Sequence, residues 1–224
     1  VTAIVVPEGR AAVYGKGIGD LDGDTFGELA FSAGAAINVV YVFNGGPNLP
    51  DVINYAGANP ETRALADPCA ADNPSFGSFF AGGVNLDGDV ADQPDFLVGN
   101  RNNKRISLFD HTLTNIDCLG RSPTQFGRVF DLAGDIDGDG AIDLVVTHEE
   151  DENVSAFVFY NDGVGHFGIG DGIPRRGHHV LLSTPAVRKQ GVAGLGDFNN
   201  DGRADLGAVI KQAGNGPIEL VVYY

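Results

Sequence analysis

Four acidic loops recur along the 224-residue chain, and they limit what it can fold into more than any other feature. They read Asp20-Leu-Asp22-Gly-Asp24-x-x-x-Glu28, Asn85-Leu-Asp87-Gly-Asp89, Asp135-Ile-Asp137-Gly-Asp139-Gly-x-x-Asp143 and Asp197-Phe-Asn199-Asn-Asp201-Gly-x-x-Asp205. Side-chain oxygens at positions 1, 3, 5 and 9 of a tight loop suit a hard cation such as calcium. Close-set carboxylates repel one another, so the pattern calls for a cation among them. The loops start at 20, 85, 135 and 197, which are 65, 50 and 62 residues apart. That spacing is long for a hairpin and suits a four-stranded sheet of short strands. The loops therefore imply both a ligand and a repeat.

The flanks of the loops are strand-like. Arg128-Val-Phe-Asp-Leu-Ala-Gly134 leads into the third loop, and Ile142-Asp-Leu-Val-Val-Thr147 leaves it. A third stretch follows each loop: 37–43, 106–109, 154–160 and 218–224, all rich in β-branched and aromatic residues. The one helix signal is 59–66, where Asn59 precedes Pro60. An EF-hand shares the Asp-x-Asp-x-Asp-Gly opening but needs a bidentate Glu at position 12 and helices on both sides. Position 12 here is Phe31, Val146 and Ala208 in the first, third and fourth loops, so that reading fails.

Phe126-Gly127 followed by Gly134-Asp135-x-Asp137-x-Asp139-Gly140-x-x-Asp143-Leu144 resembles the FG-GAP repeat of integrin alpha-chain β-propellers. Phe76-Gly77 stands likewise before the second loop, Tyr14-Gly15 before the first and Gln190-Gly191 before the fourth. The run 39–47 is similar to the family's third strand and following turn. The resemblance spans residues 1–224 as one domain in four copies, with calcium loops at 20–28, 85–95, 135–143 and 197–205. It implies an all-β propeller of four-stranded antiparallel blades, with three to four structural Ca2+ ions in the turns between first and second strands. Expected side-chain ligands are Asp20, Asp22, Asp24 and Glu28; Asn85, Asp87, Asp89 and Asp95; Asp135, Asp137, Asp139 and Asp143; and Asp197, Asn199, Asp201 and Asp205. Phe26, Ala141 and Arg203, at position 7, are expected to offer carbonyls. Loop two departs from the pattern, with Asn85 first and two extra residues before Asp95. Loop one has Thr25 where a sharp turn favours Gly.

The last repeat supplies three strands, and one strand, Thr2–Val6, precedes the first. Thr2–Val6 completing the last blade would close a four-bladed ring and protect its edges. The alternative is a piece of a larger ring, excised or completed by dimerisation. Methionine is absent even at position 1, as expected of a processed chain or an excised domain.

Charge supports a structural role for the loops. They hold 14 of the 30 acidic residues, and the other 16 nearly balance the 14 Lys and Arg. Four bound calcium ions would bring the formal charge from −16 to −8. No basic stripe exists to meet nucleic acid, and no apolar run approaches a membrane span. Cys69 and Cys118 lie seven and eight residues before Phe76 and Phe126 and can form a disulfide or remain two buried thiols.

The remaining candidates are weaker. Arg175, Arg176, His178 and His179 form a local basic cluster that a sulfated glycan could use, or a solvated loop. His148–Asn153 reads as a turn between second and third strands. Asn153-Val-Ser155 matches a glycosylation acceptor. No nucleophile, base and orienter stand together, so a catalytic role is not favoured. The expectation is a secreted, extracellular binding, adhesion or scaffolding module with an unidentified protein or glycan partner. The alternative is a lectin or polysaccharide-lyase-type domain using the face opposite the calcium loops.

Overall fold

A computed structural model describes residues 3–5, 12–33, 39–49, 52–54, 62–69, 75–89, 93–120, 126, 129–150, 153–167, 177–181, 191–211 and 217–224. Among the described residues seventeen strands follow one another: β1 (Ala3–Val5), β2 (Ala12–Gly19), β3 (Glu28–Ala33), β4 (Val39–Phe43), β5 (Val52–Asn54) and β6 (Thr62–Ala66). Next come β7 (Phe76–Val84), β8 (Asp95–Asn100), β9 (Arg105–Phe109), β10 (Asn115–Gly120), β11 (Phe130–Gly134) and β12 (Asp143–Glu150). The series ends with β13 (Asn153–Phe159), β14 (Gly177–Leu181), β15 (Val192–Gly196), β16 (Asp205–Lys211) and β17 (Ile218–Tyr223).

All but β1 and β5 form four small antiparallel sheets: β2-β3-β4-β6, β7-β8-β9-β10, β11-β12-β13-β14 and β15-β16-β17, called sheets one to four. Each acidic loop joins the first and second strands of its sheet, as the spacing predicts. In every sheet the register between those strands slips just before the loop. Gly19, Gly83, Gly134 and Gly196 take positive φ there. A bulge bends the strand and re-aims the chain. The same bulge thus launches each loop.

The sheets stack face to face through side chains on alternate positions of their strands. Ala30, Val40 and Val42 of sheet one meet Phe76, Phe80, Phe96, Val98 and Phe109 of sheet two. Leu97, Ile106 and Leu108 of sheet two meet Phe130, Leu144, Val146, Phe157 and Phe159 of sheet three. Val145, Ala156 and Val158 of sheet three meet Val192, Leu206, Ala208 and Tyr223 of sheet four. Gly77, at φ +88, marks a close approach in the first junction. A Cβ there would lie 2.6 Å from Ser32 Cβ and 2.8 Å from Val40 Cγ2. Only glycine lets strand β7 approach that closely.

Several expectations need correction. The N-terminal strand does not complete the last sheet. β1 runs parallel to β5, with Ala3 opposite Val52 and Val5 opposite Asn54. The first strands pack in series, β2 on β7, β7 on β11 and β11 on β15, with no comparable packing of β15 on β2 among the described residues. Residues 6–11 link β1 to sheet one and reach at most about 25 Å, while β5 is tethered to the same sheet between β4 and β6. The short strand therefore pairs locally, and no closed ring forms among the described residues.

The helix expected at 59–66 is a strand from Thr62 onward, where β6 pairs with β4; residues 59–61 lie outside the described residues. Tertiary pairing overrides the local cap signal. Tyr14-Gly15 is not the counterpart of Phe76-Gly77: Phe76 and Phe126 are fully buried, whereas Tyr14 is 48% exposed and contacts the Phe79 ring. Tyr14 stands only six residues before its loop, against nine for the two phenylalanines. The connection expected between second and third strands at His148–Asn153 is narrower, since β12 runs to Glu150 and β13 begins at Asn153, and residues 151–152 lie outside the described residues. His178 and His179 lie in strand β14, while Arg175, Arg176 and Gln190 lie outside the described residues.

Cys69 and Cys118 are joined by a disulfide with Cα atoms 5.9 Å apart. Cys69 follows β6, whereas Cys118 lies within β10. The bridge ties the exit of sheet one to the outer strand of sheet two.

Candidate metal centre

The acidic loops are built by their own carboxylates. The position 1 side chain caps the turn. Asp20 accepts from the N–H groups of Gly23 (2.8 Å), Asp24 (3.0 Å) and Thr25 (2.7 Å). Asp135 does the same with Gly138 (2.7 Å), Asp139 (3.0 Å) and Gly140 (2.9 Å). Asp197 accepts from Asp201 and Gly202, both at 2.9 Å, and Asn85 Oδ1 accepts from Gly88 at 2.7 Å. Such local bonds are what make Asx residues turn formers.

Position 5 pins the end of the turn. Asp24, Asp139 and Asp201 accept the N–H groups of Phe26, Ala141 and Arg203 at 2.8, 2.9 and 3.0 Å. The position 7 residues thus engage the loop through their N–H groups. In loop two, Asp89 lies 3.4 Å from His111 Nδ1.

The position 9 carboxylate is the buried anchor. One oxygen reaches back to the N–H of position 2 in every loop: Glu28 to Leu21, Asp95 to Leu86 at 2.6 Å, Asp143 to Ile136 at 2.8 Å and Asp205 to Phe198 at 2.8 Å. Asp95 therefore occupies the ninth-position place despite its two extra residues. Its place is set by the start of β8, not by counting along the loop. All four anchors are nearly inaccessible to solvent.

The second oxygen of the anchor divides the loops into two pairs. Glu28 Oε1 accepts Gly45 N–H at 3.2 Å, and Asp143 Oδ1 accepts Asn161 N–H at 2.9 Å. Asp95 Oδ1 and Asp205 Oδ1 are buried with no hydrogen-bond partner. An ionised oxygen in that position is costly unless a cation completes it. Burial, reinforced by Asp87 and Asp89, pushes Asp95 from 3.8 up to about 6. Burial, with Asp137 and Asp139 nearby, does the same to Asp143. Burial also raises Glu28, with Asp22 and Asp20 adding to it.

Among the described residues, two sets of carboxylates converge tightly enough to hold one ion each. Asp20, Asp22 and Glu28 form one set, and Asp135, Asp137 and Asp143 form the other, their ligand oxygens all within 4.8 Å of one another. These are positions 1, 3 and 9. The same three positions carry an amide in loop two, at Asn85, and in loop four, at Asn199. Position 5 lies outside both convergent sets.

One contributor was not legible in the sequence. Asn161 is buried. Its N–H holds Asp143, and its Nδ2 donates to the Leu86 carbonyl of loop two at 2.8 Å. It therefore couples loop three to loop two across 75 residues of chain from Asn161 to Leu86. Only its position two residues after a third strand, shared with Gly45, could have pointed to it. Loops three and four are joined in turn by Ala204 N–H donating to the Asp135 carbonyl at 2.7 Å.

A search of curated proteins finds no match. A family model, the FG-GAP-like repeat, matches residues 135–208. That span begins with the Asp135 loop and ends within β16, so it includes both loops three and four. From the third acidic loop to the second strand of sheet four, the chain is similar to an FG-GAP-like repeat.

Proposed function

We propose that the chain is an extracellular binding module whose acidic turns hold calcium as a structural ion. The observation that carries this reading is the convergence of three carboxylates at the same turn of sheets one and three. Calcium fits better than magnesium. The donors are carboxylates and amides on a flexible loop, whereas magnesium demands a near-ideal small octahedron. Loops two and four would take the ion more weakly, each with an amide among the three positions.

The disulfide supports an oxidising compartment. A partner would meet the rim opposite the acidic turns, where the β8–β9 hairpin lies and where the disulfide braces sheets one and two. A glycan is a specific reading for that partner. Arg101 and Arg105 are exposed on this hairpin, in a chain whose formal charge is −16. They offer paired donors to a carboxylated or sulfated sugar.

Melting in calcium and then in chelator tests the metal. At roughly 1 mM calcium each site should add about 0.4 to 1.4 kcal/mol. An unchanged midpoint would sink the calcium reading. Screening Arg101→Ala and Arg105→Ala on acidic glycans tests the partner. Binding that is indifferent to both substitutions would remove that rim from consideration.

A further inference from the structure

Asn44, just after β4, is held between three charged side chains, and we propose that it is a site of self-modification. In the metal-free chain the backbone nitrogen of Gly45 attacks its side-chain amide, which is lost as ammonia; calcium in loop one holds the reaction off. Only the calcium gating rests on the metal reading above. Asn44 Oδ1 accepts from Arg63 Nη2 at 3.3 Å, and its Nδ2 donates to Asp22 Oδ2 at 3.4 Å. A guanidinium only donates and a carboxylate only accepts, so the amide can face just one way. The next N–H, of Gly45, donates to Glu28 Oε1 at 3.2 Å.

Each of these contacts falls on an atom that the reaction changes. The Gly45 nitrogen forms a bond to Asn44 Cγ, and its proton passes to the Glu28 carboxylate. Negative charge develops on Oδ1, where the Arg63 guanidinium stands. The Cγ–Nδ2 bond then breaks, and Nδ2 leaves beside Asp22 as ammonia, carrying the proton that Glu28 held. Water opens the cyclic imide to aspartate or isoaspartate at position 44. The balance is one amide and one water giving one carboxyl group and one ammonia, with no oxidant or reductant.

Packing keeps the attacking residue small. A Cβ on Gly45 would lie 2.6 Å from the Gly27 carbonyl oxygen and 2.9 Å from Phe26 Cβ, so the turn takes glycine, the least hindered nucleophile. Asn161, just after the third strand of sheet three, shows the contrast. Its Nδ2 faces the Leu86 carbonyl, its Oδ1 faces the Gly163 N–H, and the N–H of Asp162 faces the His166 carbonyl. Backbone groups stand there where Asn44 and Gly45 meet Asp22, Arg63 and Glu28. Asp22 and Glu28 also belong to the convergent set of loop one. An ion bound in that set neutralises both carboxylates and leaves Glu28 no capacity to take the proton. Modified Asn44 is thus a lasting mark of a loop that has lost its ion.

Peptide mapping by mass spectrometry tests this on the whole chain, aged at mildly alkaline pH in calcium and in chelator. A free peptide of residues 39–49 supplies the rate without the fold. The expected result is conversion of Asn44 at least about tenfold faster in the chelated chain than in the peptide, as a fixed nucleophile and a cation at the developing charge allow. Calcium should bring the rate down to the peptide's or below. Arg63→Gln should lose most of the acceleration and Arg63→Lys should keep part of it, with circular dichroism reporting the fold of each. A chelated chain no faster than the peptide overturns the proposal, whether or not that chain stays folded. So does an acceleration that a folded Arg63→Gln or Arg63→Lys leaves fully intact. An acceleration that calcium leaves unchanged overturns the gating. If the melting midpoint is also unmoved by calcium, the metal reading has failed; if the midpoint shifts, this inference has.

Discussion

Loops one and three gather three carboxylates each, while loops two and four, built on the same bulge and turn, offer two carboxylates and an amide. The second difference is buried deeper. Glu28 and Asp143 have both carboxylate oxygens satisfied by backbone N–H groups, whereas Asp95 and Asp205 each leave one oxygen without a donor. The first pair is organised before any ion arrives. The second pair needs an ion, or a proton, to finish it. Similar turns thus differ in their donor sets through one side chain at the rim and one N–H group just after the third strand.

The largest effect that could break this comparison is pH dependence without metal. Asp95 and Asp143 both titrate near 6 when folded, above their ordinary 3.8. A raised folded value means that the native state binds the proton more tightly than the unfolded chain. Stability in chelator is therefore highest below about pH 4 and falls as pH rises through 6, by on the order of 3 kcal/mol per carboxylate. Calcium should flatten this slope, because it replaces the proton. Asp95→Asn should remove one share of the slope and raise the neutral-pH midpoint in chelator, since its amide meets no donor at the orphan position. Asp143→Asn should fare worse, because its NH2 group must face one of the two backbone N–H donors, of Ile136 or Asn161, that the carboxylate accepts. Denaturation curves from pH 4 to 8 decide it, and equal behaviour of the two variants would erase the distinction between the loop pairs.

Next in size is Asn161→Ala. It keeps the N–H that holds Asp143 but leaves the Leu86 carbonyl of loop two without its donor, at a cost of about 1 to 3 kcal/mol. Metal titration followed by calorimetry should show loop two weakened more than loop three. Loss confined to loop three would mean that the coupling between them is not what Asn161 provides.

The smallest effect belongs to loop one. Thr25 sits at φ +78, where loops three and four place Gly140 and Gly202 at φ +93. A β-branched residue there is strained, so Thr25→Gly should stabilise the chain by about 1 kcal/mol. The denaturation midpoint should rise, and the equivalent changes have no room to help in loops that already carry glycine.

The sequence was most legible where chemistry is local. Positions 1, 3, 5 and 9 announce their loops because an Asx side chain caps its own turn within five residues. The second and third strands are equally legible, since Leu144-Val-Val146 and Phe157-Val-Phe159 carry burial on both faces. Asn161 was not legible, because its partners at Asp143 and Leu86 come from elsewhere in the chain. Tyr14-Gly15 misled for a related reason: the dipeptide matches Phe76-Gly77, but only packing shows which aromatic is under a neighbouring sheet.

By itself, then, the sequence determined an all-β repeat with four acidic turns, because hydrogen bonds across a few residues and strand periodicity need no distant partner. Tertiary structure alone decided that β1 pairs with β5, that Asp95 fills the ninth-position role, and which anchors are satisfied. Those outcomes depend on which surfaces meet across tens of residues, and that is set by chain reach and packing, not by any local pattern.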